Sequence, residues 1–330
     1  MRYIVIGGGG FVGNYALAAL RKAFAESRIE KGEIIALDLQ EPQDKSVKFI
    51  KTDITKFDFD FKESDIVIHL AARAYAPKPP IKAFNPHCLK EYFFAVNVEG
   101  TKKIIAKMTQ CNCKNLIYFS TDMVYGKPQV LPISTHHQRN PIGYYGLSKK
   151  IAEDFIIDSR IENGGGLNAT IFRPRMILGA GRYGILLKLF RLMELNLPLP
   201  LIGSGKNCYQ MVSVRDCAEA IICAIERGIP NGEFNLGSQN PPCIKELLKS
   251  VSQKSGSKSA ILPTWAWGVK CILKVLELCG IPLMYKEQYQ IANEQYIIDI
   301  SQTQERLGWN PLADDSDMLF EAFEYYKQNR

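Results

Sequence analysis

The chain of 330 residues has only four histidines, and its nine cysteines include no CxxC pair and no zinc-like spacing with those histidines. This argues against a metal centre and reads instead as reduced, mostly buried thiols of a cytosolic protein. Cys111-x-Cys113 falls in a short connector before a strand, where a metal or redox role has little support. No lysine/arginine block with interleaved aromatics occurs, so the net charge of +7 is diffuse. It favours anionic small molecules such as nucleotides and does not indicate nucleic acid. No apolar run of membrane-spanning length is free of charges. The nearest, residues 261–285, is broken by Lys270, Lys274 and Glu277 and by two prolines, and reads as an amphipathic helix covering a lobe, with a membrane-surface or apolar-substrate role as the alternative. There is no transmembrane segment, and nothing that resembles a signal peptide precedes the first strand, so a cytoplasmic protein is expected. Internal repeats and low-complexity segments are missing as well.

What is present begins at the N-terminus. Residues 2–6 form a β-branched and aromatic run leading directly into Gly7-x-x-Gly10-x-x-Gly13, and from Val12 onward Val12, Ala16, Ala19, Leu20, Ala23 and Phe24 recur at helical spacing. Glycines where a strand turns into a helix are the dinucleotide-binding context. Gly7 permits the tight turn, Gly10 lets the backbone approach a pyrophosphate at the helix start, and Gly13 allows close packing of helix on strand. The second strand, Glu33 to Asp38, ends in a carboxylate placed to accept hydrogen bonds from adenosine ribose hydroxyls. A 2'-phosphate would be repelled there, so NAD is favoured over NADP; the alternative is that Asp38 only caps a loop.

Strand patterns at 2–6, 33–38, 47–50, 65–70, 115–120 and 169–173 alternate with helical ones, which predicts an α/β, Rossmann-type doubly wound parallel sheet. The chain therefore divides into a dinucleotide-binding domain, residues 1–173 with some return from 206–237, and a smaller substrate lobe, residues 174–330. Residues 65–70 are apolar almost throughout, as in a strand covered on both faces. His69 lies in that run with no histidine or cysteine partner nearby and reads as structural. The segment 72–97, with Lys78, Lys82 and Lys90, is long enough to cover a cofactor or touch an anionic substrate, or is simply a solvated loop. In the lobe, 212–216 reads as a strand followed by a helix capped near Asp216, and Phe234 to Gly237 as a further short strand.

Tyr145 and Lys149 are one helical turn apart and face the same way, whereas Tyr144 falls on a different helix face. A free tyrosine has a pKa of ~10, and lowering it by ~3 units takes ~4 kcal/mol of differential stabilisation. A neighbouring ammonium and a positively charged nicotinamide together supply much of this. The phenolate so favoured takes a hydroxyl proton as hydride leaves. The Thr121 hydroxyl is placed to hydrogen-bond the same substrate oxygen.

These motifs resemble those of the extended short-chain dehydrogenase/reductases, and within them the NAD-dependent epimerase/dehydratase group. The resemblance runs through the glycine turn, Asp38, Asp53-Ile54, His69 to Ala72, Asn97 to Thr101, Ser120 to Gly126, Tyr145/Lys149, Arg173-Pro174, Val214 to Asp216 and Leu307 to Pro311. It implies that Asp53 and Ile54 contact the adenine, that Leu70, Ala71 and Ala72 lie along the ribose and pyrophosphate, and that Lys149 holds the nicotinamide ribose. Phe11, Val12 and Pro174 join the cofactor contacts on the same ground. A homodimer through the helices around 97–109 and 144–159 is also implied.

Departures from the family pattern bear on the reaction. Nucleotide-sugar dehydratases carry Thr-Asp-Glu before Val-Tyr-Gly, and here the third position is Met123, which cannot abstract a proton. Epimerases show Arg-x-x-Asn where this chain has Met176, and an arginine within the stretch that here is Gly203 to Gln210. Asp122, Arg175, Arg182 and Lys206 are the candidates for substrate contact, with Arg215 a further cation. The expected function is an NAD-dependent oxidoreductase or epimerase acting on a secondary alcohol of a nucleotide sugar. A 3β-hydroxysteroid dehydrogenase-like oxidation of an apolar alcohol is the alternative, suggested by Arg173-Pro174 and the 261–285 stretch. A dinucleotide-sensing protein without catalysis would have no need of the Tyr145/Lys149 pair.

Overall fold

The computed structural model describes residues 1–74, 86–160, 166–183, 186–278, 284 and 286–329. The N-terminal part alternates strands and helices: β1 (Arg2–Ile6), α1 (Phe11–Ala25), β2 (Glu33–Asp38), β3 (Lys48–Lys51), β4 (Ile66–His69), α2 (Pro86–Phe94), α3 (Thr101–Gln110), β5 (Asn115–Phe119), α4 (Tyr144–Asp158) and β6 (Asn168–Pro174). Then follow β7 (Met176–Leu178), α5 (Leu186–Glu194), β8 (Leu199–Ile202), β9 (Met211–Ser213), α6 (Val214–Glu226), β10 (Gly232–Leu236), α7 (Ile244–Ser255) and β11 (Ile261–Thr264). Four helices complete the chain, α8 (Ala266–Leu278), α9 (Lys286–Ile291), α10 (Ser301–Leu307) and α11 (Asp315–Gln328).

Seven strands form one parallel sheet in the order β10-β6-β5-β4-β1-β2-β3. The strand order reverses between β1 and β4, and the crevice beyond the carboxyl ends of those two strands is where open α/β sheets bind ligands. The central strands are buried on both faces because a helical layer packs on each. One layer brings Ala16, Leu17 and Leu20 of α1 and Ile221 of α6 against Val5 and Ile68. The other brings Ile104 and Met108 of α3 and Ala152 and Ile156 of α4 against Ile4, Val67 and Leu116.

The strand at Gly232–Leu236 returns to the large sheet beside β6, within the 206–237 stretch for which a return was expected. The lobe has its own core, in which Phe190, Leu247, Val251, Leu319 and Phe323 meet. It contributes two small parallel ladders, β7 with β9 and β8 with β11. Helix α6 is capped by Ser213, three residues before Asp216; the Ser213 hydroxyl accepts from Arg215 N–H at 3.1 Å. The Asp216 carboxylate instead accepts from the backbone N–H groups of Leu312 and Ala313 at 3.2 and 3.3 Å, while Trp309 Nε1 donates to the Asp216 carbonyl. That gives the Leu307 to Pro311 motif its structural purpose: it fastens the chain's last segment to α6.

The apolar stretch forms β11 and α8. Leu273 is buried, but Trp265, Trp267, Ile272 and Val275 are exposed. Residues 279–283 and 285 of this stretch, and Lys78 and Lys82 of the 72–97 segment, lie outside the described residues. No helix among the described residues is long and apolar enough to cross a membrane. The cysteines are less buried than expected. Of the eight described, only Cys113, Cys217 and Cys223 are fully buried.

Candidate active site

A cleft of about 820 Å³ opens along the carboxyl ends of the large sheet. Its first part is built by the glycine turn. Gly7 has φ of +90°, and a Cβ there would stand 2.6 Å from the Ala71 nitrogen, so only glycine fits. At Gly13 a Cβ would run into the Gly7 carbonyl, which is the helix-on-strand closeness expected of it. Gly10 differs: a Cβ would meet only the Gly7 oxygen, at 3.2 Å. The protein hardly crowds Gly10, which lines the cleft at the start of α1. The Ile6 carbonyl accepts from both Leu70 and Ala71 N–H groups, at 2.8 and 3.0 Å, pinning the end of β4 to the turn.

Asp38, at the end of β2, accepts from Gly9 N–H at 3.0 Å and from Gln40 N–H at 3.2 Å. These bonds brace the carboxylate at the cleft wall. Asp53 accepts from the backbone N–H and hydroxyl of Thr55 at 2.9 and 2.8 Å, which holds its carboxyl below the usual range. Asp53 and Ile54 both line the cleft, as do Phe11, Val12, Leu70, Ala71, Ala72 and Pro174.

The second part of the cleft gathers the residues expected to do chemistry. Thr121, Tyr145 and Lys149 line it together. Lys149 is almost fully buried: its Nζ donates to the Phe119 carbonyl at 2.5 Å and stands 4.1 Å from the centre of the Tyr118 ring. Burial pushes its pKa down to about 7, with Glu153 one turn further along α4 pulling upward. Tyr145 packs against Phe93, with ring centres 5.9 Å apart. Tyr144, the first residue of α4, also lines the cleft, so a different helix face does not take it out of the site.

His69 is buried and hydrogen-bonded to Thr101 at 2.9 Å. Burial, with Lys149 nearby, pushes its pKa down to about 3, so it is a neutral structural group. Asn97, for which the sequence suggested no role of its own, sits in a π-helical turn, Ala95–Gly100. Its side chain accepts from Arg73 N–H at 2.8 Å and donates to Ser148 Oγ at 2.9 Å. Thus it ties the segment following β4 to α4.

The four substrate candidates separate. Asp122 and Arg175 line the cleft but are committed to each other, Arg175 Nη1 donating to Asp122 Oδ2 at 2.6 Å with both side chains buried. Burial raises the Asp122 carboxyl, and Arg175 opposes it. The Arg175 guanidinium lies 4.0 Å from the ring centres of both Tyr209 and Tyr296, a double cation–π contact. Thr121 Oγ1 donates to Asp122 Oδ1 at 3.3 Å, so this pair reaches the Thr121 hydroxyl. Arg182 lines the cleft with its guanidinium 5.6 Å from the Phe11 ring centre. Lys206 is exposed and does not line the cleft. Among the described residues no group of histidine, cysteine, aspartate or glutamate could hold a metal ion.

The model of the NAD dependent epimerase/dehydratase family matches residues 3–237. The chain belongs to this family. Among its relatives, an uncharacterized protein of Sinorhizobium fredii is 29% identical over 242 residues, which cover 73% of this chain and 60% of that protein's length. The dTDP-D-glucose 4,6-dehydratase of Mus musculus is 24% identical, with 99% of this chain and 89% of the relative covered. Among solved structures, a mutant UDP-glucuronic acid 4-epimerase from Bacillus cereus, in complex with UDP-4-deoxy-4-fluoro-glucuronic acid and NAD, superposes with a TM-score of 0.76 at 21% identity over the full length of both chains. The family's cofactor fits the residues present. The glycine turn leaves space only where a pyrophosphate would approach, at Gly10, and Asp38 stands at the cleft wall where a ribose would lie.

Proposed function

We propose that the protein is an NAD-dependent epimerase or 4-dehydrogenase/reductase acting on a secondary alcohol of a nucleotide sugar. One observation carries this reading. A single cleft joins the glycine turn and Asp38 to Thr121, Tyr145 and Lys149, and continues to Met123, Arg182 and Tyr209. NAD, when bound, supplies the hydride acceptor. Thr121 holds the substrate oxygen, and Tyr145 as phenolate takes its proton. The Lys149 ammonium supports that phenolate and reaches the nicotinamide ribose, while Arg182 brings a cation to a substrate diphosphate.

The apolar-alcohol reading loses its main support, because no described residue of 261–278 lines the cleft. Elimination of water is disfavoured on two counts. Met123 lines the cleft where dehydratases carry glutamate, and Asp122 is held by Arg175. Incubation with dTDP-glucose and NAD is therefore expected to give no 4-keto-6-deoxy sugar by mass spectrometry. Loss of one water from the substrate would put dehydratase chemistry first.

Two further measurements bear on the ligands. Calorimetry should show NAD binding at least about tenfold, or ~1.4 kcal/mol, more tightly than NADP. Replacing Asp38 by alanine should narrow the gap, and equal affinities in the unaltered protein would remove Asp38 from this role. UDP, GDP or dTDP should raise the melting temperature of the NAD-loaded protein. If none of the three does, the nucleotide-sugar reading falls.

A further inference from the structure

Sequence spacing offers no cysteine pair, yet the fold sets two cysteines opposite each other. Cys208 lies in the loop between β8 and β9, and Cys243 immediately precedes α7. They are partners in an isolated antiparallel β-bridge. The hydrogen bond that makes this bridge runs between their neighbours, from Ile244 N–H to the Asn207 carbonyl at 3.0 Å. Cys208 and Cys243 thus occupy a non-hydrogen-bonded position of an antiparallel ladder. At such positions opposed Cα atoms stand about 4.5 Å apart and both side chains project from the same face. A disulfide spans Cα separations of about 4.4–6.8 Å. Both thiols are free and half-buried, so a small reagent can reach them. No other two of the described cysteines face each other across a bridge.

We propose that Cys208 and Cys243 are a dithiol modification site that closes to a disulfide by exchange with a small-molecule disulfide of the glutathione class. The chemistry balances without another reagent. One protein thiol loses its proton and attacks the reagent, releasing one glutathione and leaving a mixed disulfide. The second protein thiol then loses its proton, displaces the other glutathione and forms the internal S–S bond. Two protein S–H bonds and the reagent's S–S bond are lost; one protein S–S bond and two glutathione S–H bonds are gained.

The site borders the cleft. Tyr209, the residue after Cys208, lines the cleft with its ring on Arg175. The same loop is already fastened to the start of α7 by Lys245 N–H donating to the Gly205 carbonyl at 3.0 Å. The Cys243 backbone N–H donates to the Glu246 carboxylate at 3.4 Å at the start of α7, a bond that serine at 243 would keep.

The test treats the folded, full-length protein with oxidised glutathione, alkylates the remaining thiols and measures intact and peptide masses. The expected product has lost two hydrogens, about 2 Da, with a peptide in which Cys208 is joined to Cys243. This pair should form about tenfold or more faster than any other internal link. Cys208→Ser and Cys243→Ser should each abolish that peptide. The proposal is overturned if the unaltered protein ends as a stable glutathione adduct at either cysteine, links other cysteines first, or leaves both thiols open to alkylation. None of these outcomes depends on which substrate the cleft takes.

Discussion

Replacing Tyr145 by phenylalanine should lower turnover about 100-fold or more while NAD binding persists. The ring and its packing against Phe93 are kept, and only the hydroxyl that receives the proton is lost. In the proposed reading Lys149 is the group that favours the phenolate. Its ammonium is buried one turn away on α4, and its pKa of about 7 means that the charge is held weakly until a negative partner stabilises it. A phenolate is such a partner, so the two groups favour each other's charged forms. The measurements are steady-state turnover and calorimetric NAD affinity on the same preparation. Turnover within a few-fold of the unaltered enzyme would exclude Tyr145 as the base. Tyr144→Phe is a weaker control than the sequence suggests, because Tyr144 lines the same cleft. A loss there well short of that at Tyr145 would still separate a wall residue from the proton acceptor.

The parts of this fold that are legible in the sequence are those with local signatures. β1, β2, β4 and β5 are buried on both faces and read as short, nearly continuous apolar runs, so their positions differ from expectation by a residue at most. The glycine turn, Asp38 and the Tyr145/Lys149 spacing are likewise set by neighbours in the chain. What is not legible depends on distant segments meeting. Phe234 announces a strand, but nothing near it specifies pairing with β6. The Arg175 sandwich draws Arg175 from the end of β6, Tyr209 from a lobe loop and Tyr296 from the segment before α10, and no spacing rule connects them. The clue available was the stretch Gly203 to Gln210, where epimerases carry an arginine and this chain has none. Tyr209 of that stretch lies against a cation of the same chain. The bond at Asp122 is hidden for a related reason: its place in the Thr-Asp motif suggests substrate contact, and the Arg175 that donates to it follows β6, 53 residues on.

Replacing Arg173 by methionine should cost roughly 3–5 kcal/mol of stability, the cost of leaving a buried charge without its partner. Arg173 is fully enclosed, and its guanidinium meets the Glu153 carboxylate with Nη2 to Oε2 at 2.8 Å and Nε to Oε1 at 3.1 Å. Nη1 donates to the Tyr125 hydroxyl at 3.0 Å and to the Thr135 carbonyl at 2.9 Å. Glu153 is on α4, one turn beyond Lys149, so the ion pair bolts α4 to β6. Arg139 Nη1 also reaches Glu153 at 3.0 Å, but its side chain is partly exposed and cannot replace the buried bonds. In a chain of this length the loss corresponds to a fall in melting temperature of about 4–7 °C. The double replacement Arg173→Met with Glu153→Leu separates two explanations. If the cost comes from the orphaned carboxylate, the double variant is more stable than Arg173→Met alone. If the double variant is the less stable, the cost lies instead in the bonds to Tyr125 and Thr135, and α4 is held by packing. A loss under about 1 kcal/mol in Arg173→Met would mean that the pair does not anchor the helix at all.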